Sequence, residues 1–76
     1  STLVHPREIF REAIALRASA IVFAHNHPSG DPSPSAEDRA IVEQLRAAGR
    51  VLDMPVHDAV IVGRGRYSSF AEMGML

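Results

Sequence analysis

The 76-residue sequence predicts an α/β fold, and three observations carry that prediction. Residues 6–17 show helical periodicity and run into a short β-branched apolar segment at 20–24. A second helical stretch, 35–52, follows a proline-rich loop. A strand-like segment at 56–62 then turns through Gly63-Arg64-Gly65-Arg66 into a short partner at 67–70. Helices alternating with apolar strands point to helix layered on sheet rather than to a protein built of hairpins.

Each element has a local cause. Ser1–Val4 reads as the tail of a strand whose body lies upstream. His5-Pro6 marks a boundary, because a residue before proline avoids the helical region and proline suits the first helical position. From Pro6 to about Arg17, Ile9, Phe10, Ala13, Ile14 and Leu16 are expected to form the buried stripe, with Arg7, Glu8, Arg11 and Glu12 on the other side. Ala20–Ala24 is too short for a helix and is read as a strand buried on both faces. His27–Pro34 holds three prolines and one glycine and cannot be regular. Ser35 is a natural N-cap for a helix to about Leu52, with Ile41, Val42, Leu45, Ala48 and Leu52 as its apolar stripe. Gly49 interrupts that stripe, which predicts either a close approach of helix to sheet or fraying. Pro55 ends any continuation. Val56–Val62 and Tyr67–Phe70 are expected to pair as a hairpin.

Composition narrows the function classes. The length suits one small domain, which buries only about 60% of its unfolded surface. With no cysteine, neither disulfides nor thiolate zinc sites can reinforce it, and the chain fits a reducing, cytoplasmic compartment. Eight Lys plus Arg, all of them Arg, against nine Asp plus Glu give a net charge of −1, which is no footprint for nucleic acid. No apolar run approaches the roughly 20 residues of a membrane span, and nothing resembles a signal peptide. The chain begins at Ser1 without an initiator Met, which suggests a piece of a longer protein.

The chemistry concentrates in Ile21–Asp38, IVFAHNHPSGDPSPSAED. Alternate strand residues face the same side, so His25 and His27 can aim two imidazoles at one point, and the loop can return Asp38 to it. Two His and one carboxylate would leave a zinc ion one open position, as catalytic zinc requires. Ser35-x-x-Asp38 is explained at least equally well as a helix capping box, and the two roles compete for one carboxylate. Spacing alone leaves that choice open.

The whole pattern, His25-x-His27, seven residues, Ser35, two residues, Asp38, resembles the JAMM (MPN-plus) metalloprotease signature H-x-H-x7-S-x2-D at every spacing. The flanking HPRE at 5–8, AHNHPSGD at 24–31, VIVG at 60–63 and YSSF at 67–70 resemble the RadC family of bacterial JAMM proteins. That resemblance implies a JAMM or cytidine-deaminase-like mixed sheet flanked by helices, with 1–76 a single partial domain lacking its N-terminal strands. It implies that His25, His27 and Asp38 ligate zinc, that Ser35 hydrogen-bonds the activated water or the developing oxyanion, and that the substrate is a peptide or isopeptide. Family enzymes also use a glutamate on an upstream strand as general base. No acid precedes Glu8 here, and Glu8 and Glu12 are expected to be solvated surface acids. With upstream strands absent, poor solubility or self-association through an exposed sheet edge is expected.

Rival readings are weaker. An accessory module in DNA repair would need its DNA contact from elsewhere, since this stretch has no basic face. The tripeptide His25-Asn26-His27 is not an HNH nuclease motif, whose letters are dispersed, and non-haem iron oxygenases order their ligands differently. His57 next to Asp58, where RadC-like sequences more often have Asp-His, is expected to be a strand-edge histidine without a metal role, and His5 only a polar residue before proline. Arg64 and Arg66 are expected to be solvated, and Asp31 to make an Asx-type turn.

Overall fold

The computed structural model describes residues 5–76, so the strand tail expected at Ser1–Val4 lies outside the described residues. Five elements follow in order: α1 (Pro6–Ala15), β1 (Ile21–Asn26), α2 (Ala36–Leu52), β2 (Val56–Val62) and β3 (Tyr67–Ser69). The sheet is mixed, in the order β1-β2-β3. β1 and β2 are parallel, and β2 and β3 form the expected antiparallel hairpin. A parallel pair needs a crossover, and α2 supplies it. The α/β class predicted from sequence is the class observed.

α1 starts where the proline predicts, with His5 extended before it and Pro6 at the first position. It ends two residues early. Arg17 adopts φ 56°, its amide donates to the Ile14 carbonyl at 3.0 Å, and the Ala18 amide reaches the Ala13 carbonyl at 2.9 Å. This is a Schellman stop built on an arginine, whereas glycine is the usual residue there. The expected stripe is also corrected: Phe10 and Ala13 are buried, but Ile14, still inside the helix, and Leu16 at its C-cap are 51% and 80% exposed.

Both helices share one core with the sheet. Phe10 and Ala13 of α1, Val42 and Leu45 of α2, Ile21 and Phe23 of β1, Ala59 and Ile61 of β2, and Phe70 make up its buried apolar residues. β1 is therefore not buried on both faces as expected. Ile21 and Phe23 point into the core, while Val22 between them is 64% exposed. The other sheet face, with Val22, Ala24, Val60, Val62 and Tyr67 in register, carries no helix among the described elements, so the apolar run alternates in burial despite its composition. Gly49 does mark a close approach, but not to the sheet. A Cβ there would collide with the Met54 carbonyl oxygen and meet the Phe10 ring at 3.5 Å, and α2 continues to Leu52 without fraying.

A register break between Ile21 and Val22 falls opposite His57, which is exposed. The next residue, Asp58, clamps the far end of the hairpin. Its carboxylate accepts from the Ser69 hydroxyl at 2.6 Å, the Ala59 amide at 2.7 Å and the Ala71 amide at 3.0 Å. Burial pushes this carboxyl up, but those donors, Ser69 foremost, outweigh it and hold it below the usual carboxylate value. Among the described residues no helix is long and apolar enough to cross a membrane.

Candidate metal centre

The end of β1 supplies the two imidazoles. His25 lies inside the strand, and the His27 amide extends the ladder by donating to the Val62 carbonyl at 2.9 Å. Strand alternation thus persists to residue 27, and both rings emerge on the helix-facing side. Their centroids are 5.3 Å apart and their planes nearly perpendicular, at 87°.

A rigid loop returns the chain. The Gly30 amide donates to the His27 carbonyl at 2.9 Å, and the Ser33 amide donates to Asp31 Oδ1 at 3.0 Å. The second bond is the Asx turn expected of Asp31, and it holds that carboxyl below its usual value, with a smaller contribution from the Arg66 guanidinium. Pro32 is buried. The β2–β3 turn locks this loop from outside, since the Arg64 amide donates to the Gly30 carbonyl at 3.0 Å.

The start of α2 supplies the carboxylate. Ser35 caps the helix, its Oγ accepting from the Asp38 amide at 3.0 Å, and the Ser35 amide donates to Asp38 Oδ2 at 2.7 Å. The capping box is therefore real. Contrary to the competition that the sequence predicts, capping does not turn the carboxylate away from the histidines. Asp38 Oδ1 stands 2.9 Å from His25 Nδ1 and Oδ2 stands 2.9 Å from His27 Nε2. A carboxylate offers about four lone-pair directions, so one group closes the first turn and faces both rings. Asp38 is 1% exposed. Its burial pushes the carboxyl up, but the Ser35 amide, His25, the Ser35 side chain and His27 together hold it below its usual value.

The arrangement fits a metal ion. His27 Nδ1 lies 2.9 Å from the Asp31 carbonyl oxygen, which can only accept, so Nδ1 carries the proton. In the neutral ring, Nε2 then turns a lone pair toward a carboxylate oxygen. Two acceptors facing each other at that distance call for a cation, either a proton or a metal. A ligating His whose other nitrogen donates to a carbonyl is the usual outer support of such a centre. One ligand atom from each of His25, His27 and Asp38 lies within 4.8 Å of the others, a cluster that bonds of roughly 2.0–2.2 Å to one ion can close with small side-chain rotations.

The remaining candidates stay outside. Glu8 is exposed and pairs with Arg7 and Arg11 at 3.8 and 3.6 Å. Glu12, His5 and His57 are exposed too, and among the described residues only His25, His27 and Asp38 form a ligand cluster. The support that sequence reasoning missed is the Asp31 carbonyl, a backbone atom with no residue signature. A groove of about 170 Å³ opens beside His27, lined also by Asn26, Pro28, Gly30, Gly63 and Arg64.

Comparison with known proteins extends the resemblance. A family model described as a RadC-like JAB domain matches residues 1–75. A UPF0758 protein of Symbiobacterium thermophilum is 55% identical over 76 residues, covering 100% of this chain and 32% of its own. Those of Thermotoga maritima and Trichlorobacter lovleyi are 53% and 51% identical over 75 residues, covering 99% of this chain and 34% and 33% of their own. The chain thus spans about a third of the length of these relatives.

Proposed function

We propose, from the premise that this chain belongs to the RadC-like JAB domain family, that it serves a zinc-dependent hydrolase acting on an amide or isopeptide bond. His25, His27 and Asp38 would hold the ion. The observation that carries this reading is the buried Asp38 carboxylate, faced by two imidazole nitrogens at 2.9 Å each, one of those rings being fixed through its far nitrogen by the Asp31 carbonyl.

Zinc, when bound in such a site, acidifies water and polarises a carbonyl. The chain's own residues prepare the place. Asp38 stays ionised because its hydrogen bonds outweigh its burial. Asp31 holds the His27 ring in one tautomer. Ser35 is exposed at the mouth of the site, and its Oγ accepts from the helix, which leaves its hydroxyl proton to stabilise charge growing on a substrate carbonyl oxygen. Glu8, committed to surface arginines, is not the general base. We assign that role to a carboxylate in the part of the longer relatives that this stretch does not cover.

Elemental analysis of the intact protein tests the reading, followed by turnover assays on peptide-amide and isopeptide substrates. About one zinc per chain is expected, lost in His25→Ala and in Asp38→Ala, with hydrolysis lost alongside. A preparation that holds no metal under any condition, yet is folded, sinks the hydrolase and leaves an accessory role.

A further inference from the structure

The groove beside His27 contains one charged residue, Arg64, that the metal centre does not use. Arg64 rises from the β2–β3 turn and lies along Gly30, which has no side chain to block it; a Cβ at Gly30 would stand 3.1 Å from Arg64 Cβ and 3.8 Å from its Nε. The turn is fixed by the Arg64 amide bond to the Gly30 carbonyl and by the Gly63 amide bond to Arg66. The two arginines of this turn differ in their surroundings. Arg66 does not line the groove. Arg64 takes part in no ion pair among the described residues, and it shares a concavity with the metal-facing His27 and the Asn26 side of the strand end.

We infer that Arg64 is a specificity residue, receiving a carboxylate of the peptide substrate beside the bond to be cleaved. A planar guanidinium recognises a carboxylate through two parallel hydrogen bonds. The groove, at about 170 Å³, holds one acidic side chain or a chain terminus and little more. Because His27 walls both the groove and the metal centre, and an extended chain advances roughly 3.3–3.6 Å per residue, the acid falls within a residue or two of the reacting carbonyl. A phosphate backbone would satisfy the same guanidinium, but nucleic acid binding draws on several clustered cations, and this chain carries a net charge of −1. The acidic peptide is the better match.

The inference rests on the hydrolase reading, and the experiment separates the two. The intact protein, loaded with zinc, is titrated with acetyl-Gly-Gly-Glu-Gly-amide, with its Gln counterpart, and with the Gln counterpart bearing a free C-terminal carboxylate. Binding is followed by NMR through the Arg64 Nε–H and His27 signals, and zinc content is measured in parallel. At least a fivefold preference for one carboxylate peptide over the all-amide peptide is expected; which one shows whether the acid is a side chain or a terminus. Arg64→Gln should abolish that preference, Arg64→Lys should restore part of it, and neither should change the zinc content. Equal binding of all three peptides with zinc retained overturns the role of Arg64 and leaves the metal centre standing. An Arg64-dependent preference in a protein that never holds zinc supports the groove and removes the hydrolase. A short single-stranded oligonucleotide that outcompetes the acidic peptide, and does so through Arg64, overturns the choice of peptide.

Discussion

Gly63→Ala is a test of how the hairpin turn holds the metal loop in place. A Cβ at 63 would collide with the Gly30 carbonyl oxygen, with the carbonyl carbon at 2.9 Å and Pro32 Cδ at 3.0 Å, where ordinary contact begins at 3.4 Å. Two of the three obstacles are backbone and the third is a ring, so nothing flexible can swing aside. The Gly30 segment must retreat by more than half an ångström. That retreat strains the Arg64 amide bond to Gly30 and shifts Asp31, the neighbour whose carbonyl fixes His27. Overpacking costs about 1–3 kcal/mol and a weakened backbone hydrogen bond about 1 more, so a loss of roughly 2–4 kcal/mol is expected. Disturbing the outer support of a ligating His typically lowers metal affinity by about 10–100-fold. Gly65→Ala is the control, because nothing lies within 4 Å of its Cβ but its φ is +66°. That variant should lose only the about 1–2 kcal/mol of a left-handed non-glycine residue, with zinc affinity unchanged. Urea unfolding and competitive zinc titration of both variants provide the measurements. If Gly63→Ala binds zinc as tightly as Gly65→Ala does, the turn does not position the loop and the reasoning is wrong.

Three other outcomes are expected. With zinc at a hundred times its dissociation constant, the folded state should gain about 2.7 kcal/mol; Asp38→Asn should lose that gain, and a variant that keeps it would show that residue 38 is not a ligand. Ser69→Ala removes the 2.6 Å bond that helps hold the Asp58 carboxyl below 3.8, and should cost about 1 kcal/mol near neutrality once partial exposure is allowed for. A depressed carboxyl stabilises the fold above its unfolded value and loses that contribution as pH falls through the lower folded value, so the variant's stability should fall less steeply than the wild type's below about pH 4; parallel acid limbs would contradict the assignment. Arg17→Gly should stabilise the protein by about 0.5–1 kcal/mol, because glycine meets no steric penalty at φ 56°, and a neutral or destabilising result in thermal unfolding would count against the Schellman stop.

Where the sequence was legible, a local chemical signal stood at the position. Pro6 and Ser35 placed both helix starts, and Gly63–Arg66 placed the hairpin. The Schellman stop at Arg17 was not legible because it carries none of the glycine by which such stops are recognised, and the expected apolar stripe ran on into Ile14 and Leu16. β1 misled for a different reason: composition reports apolarity, not which face is covered, and only the layering shows that Val22 faces away from both helices. The convergence of His25, His27 and Asp38 was readable because strand alternation and the helix start are both short-range rules. Two supports were not readable. The Asp31 carbonyl is backbone, and the Asp58 clamp joins residues 11 and 13 positions apart, Ser69 and Ala71, through a hairpin whose register had to be seen.

Asp38 serves two masters, and this bears on how the motif is read. A relative with no metal site would still use an acid at the third position of α2 to close the first helical turn, so folding alone can preserve that letter of the motif. The histidines take no part in that cap; their rings pair with Asp38 itself and, for His27, with the Asp31 carbonyl. In any survey of kindred sequences, the survival of the acid alone therefore says little about a metal site, and the acid has to be read together with the paired imidazoles at the strand end.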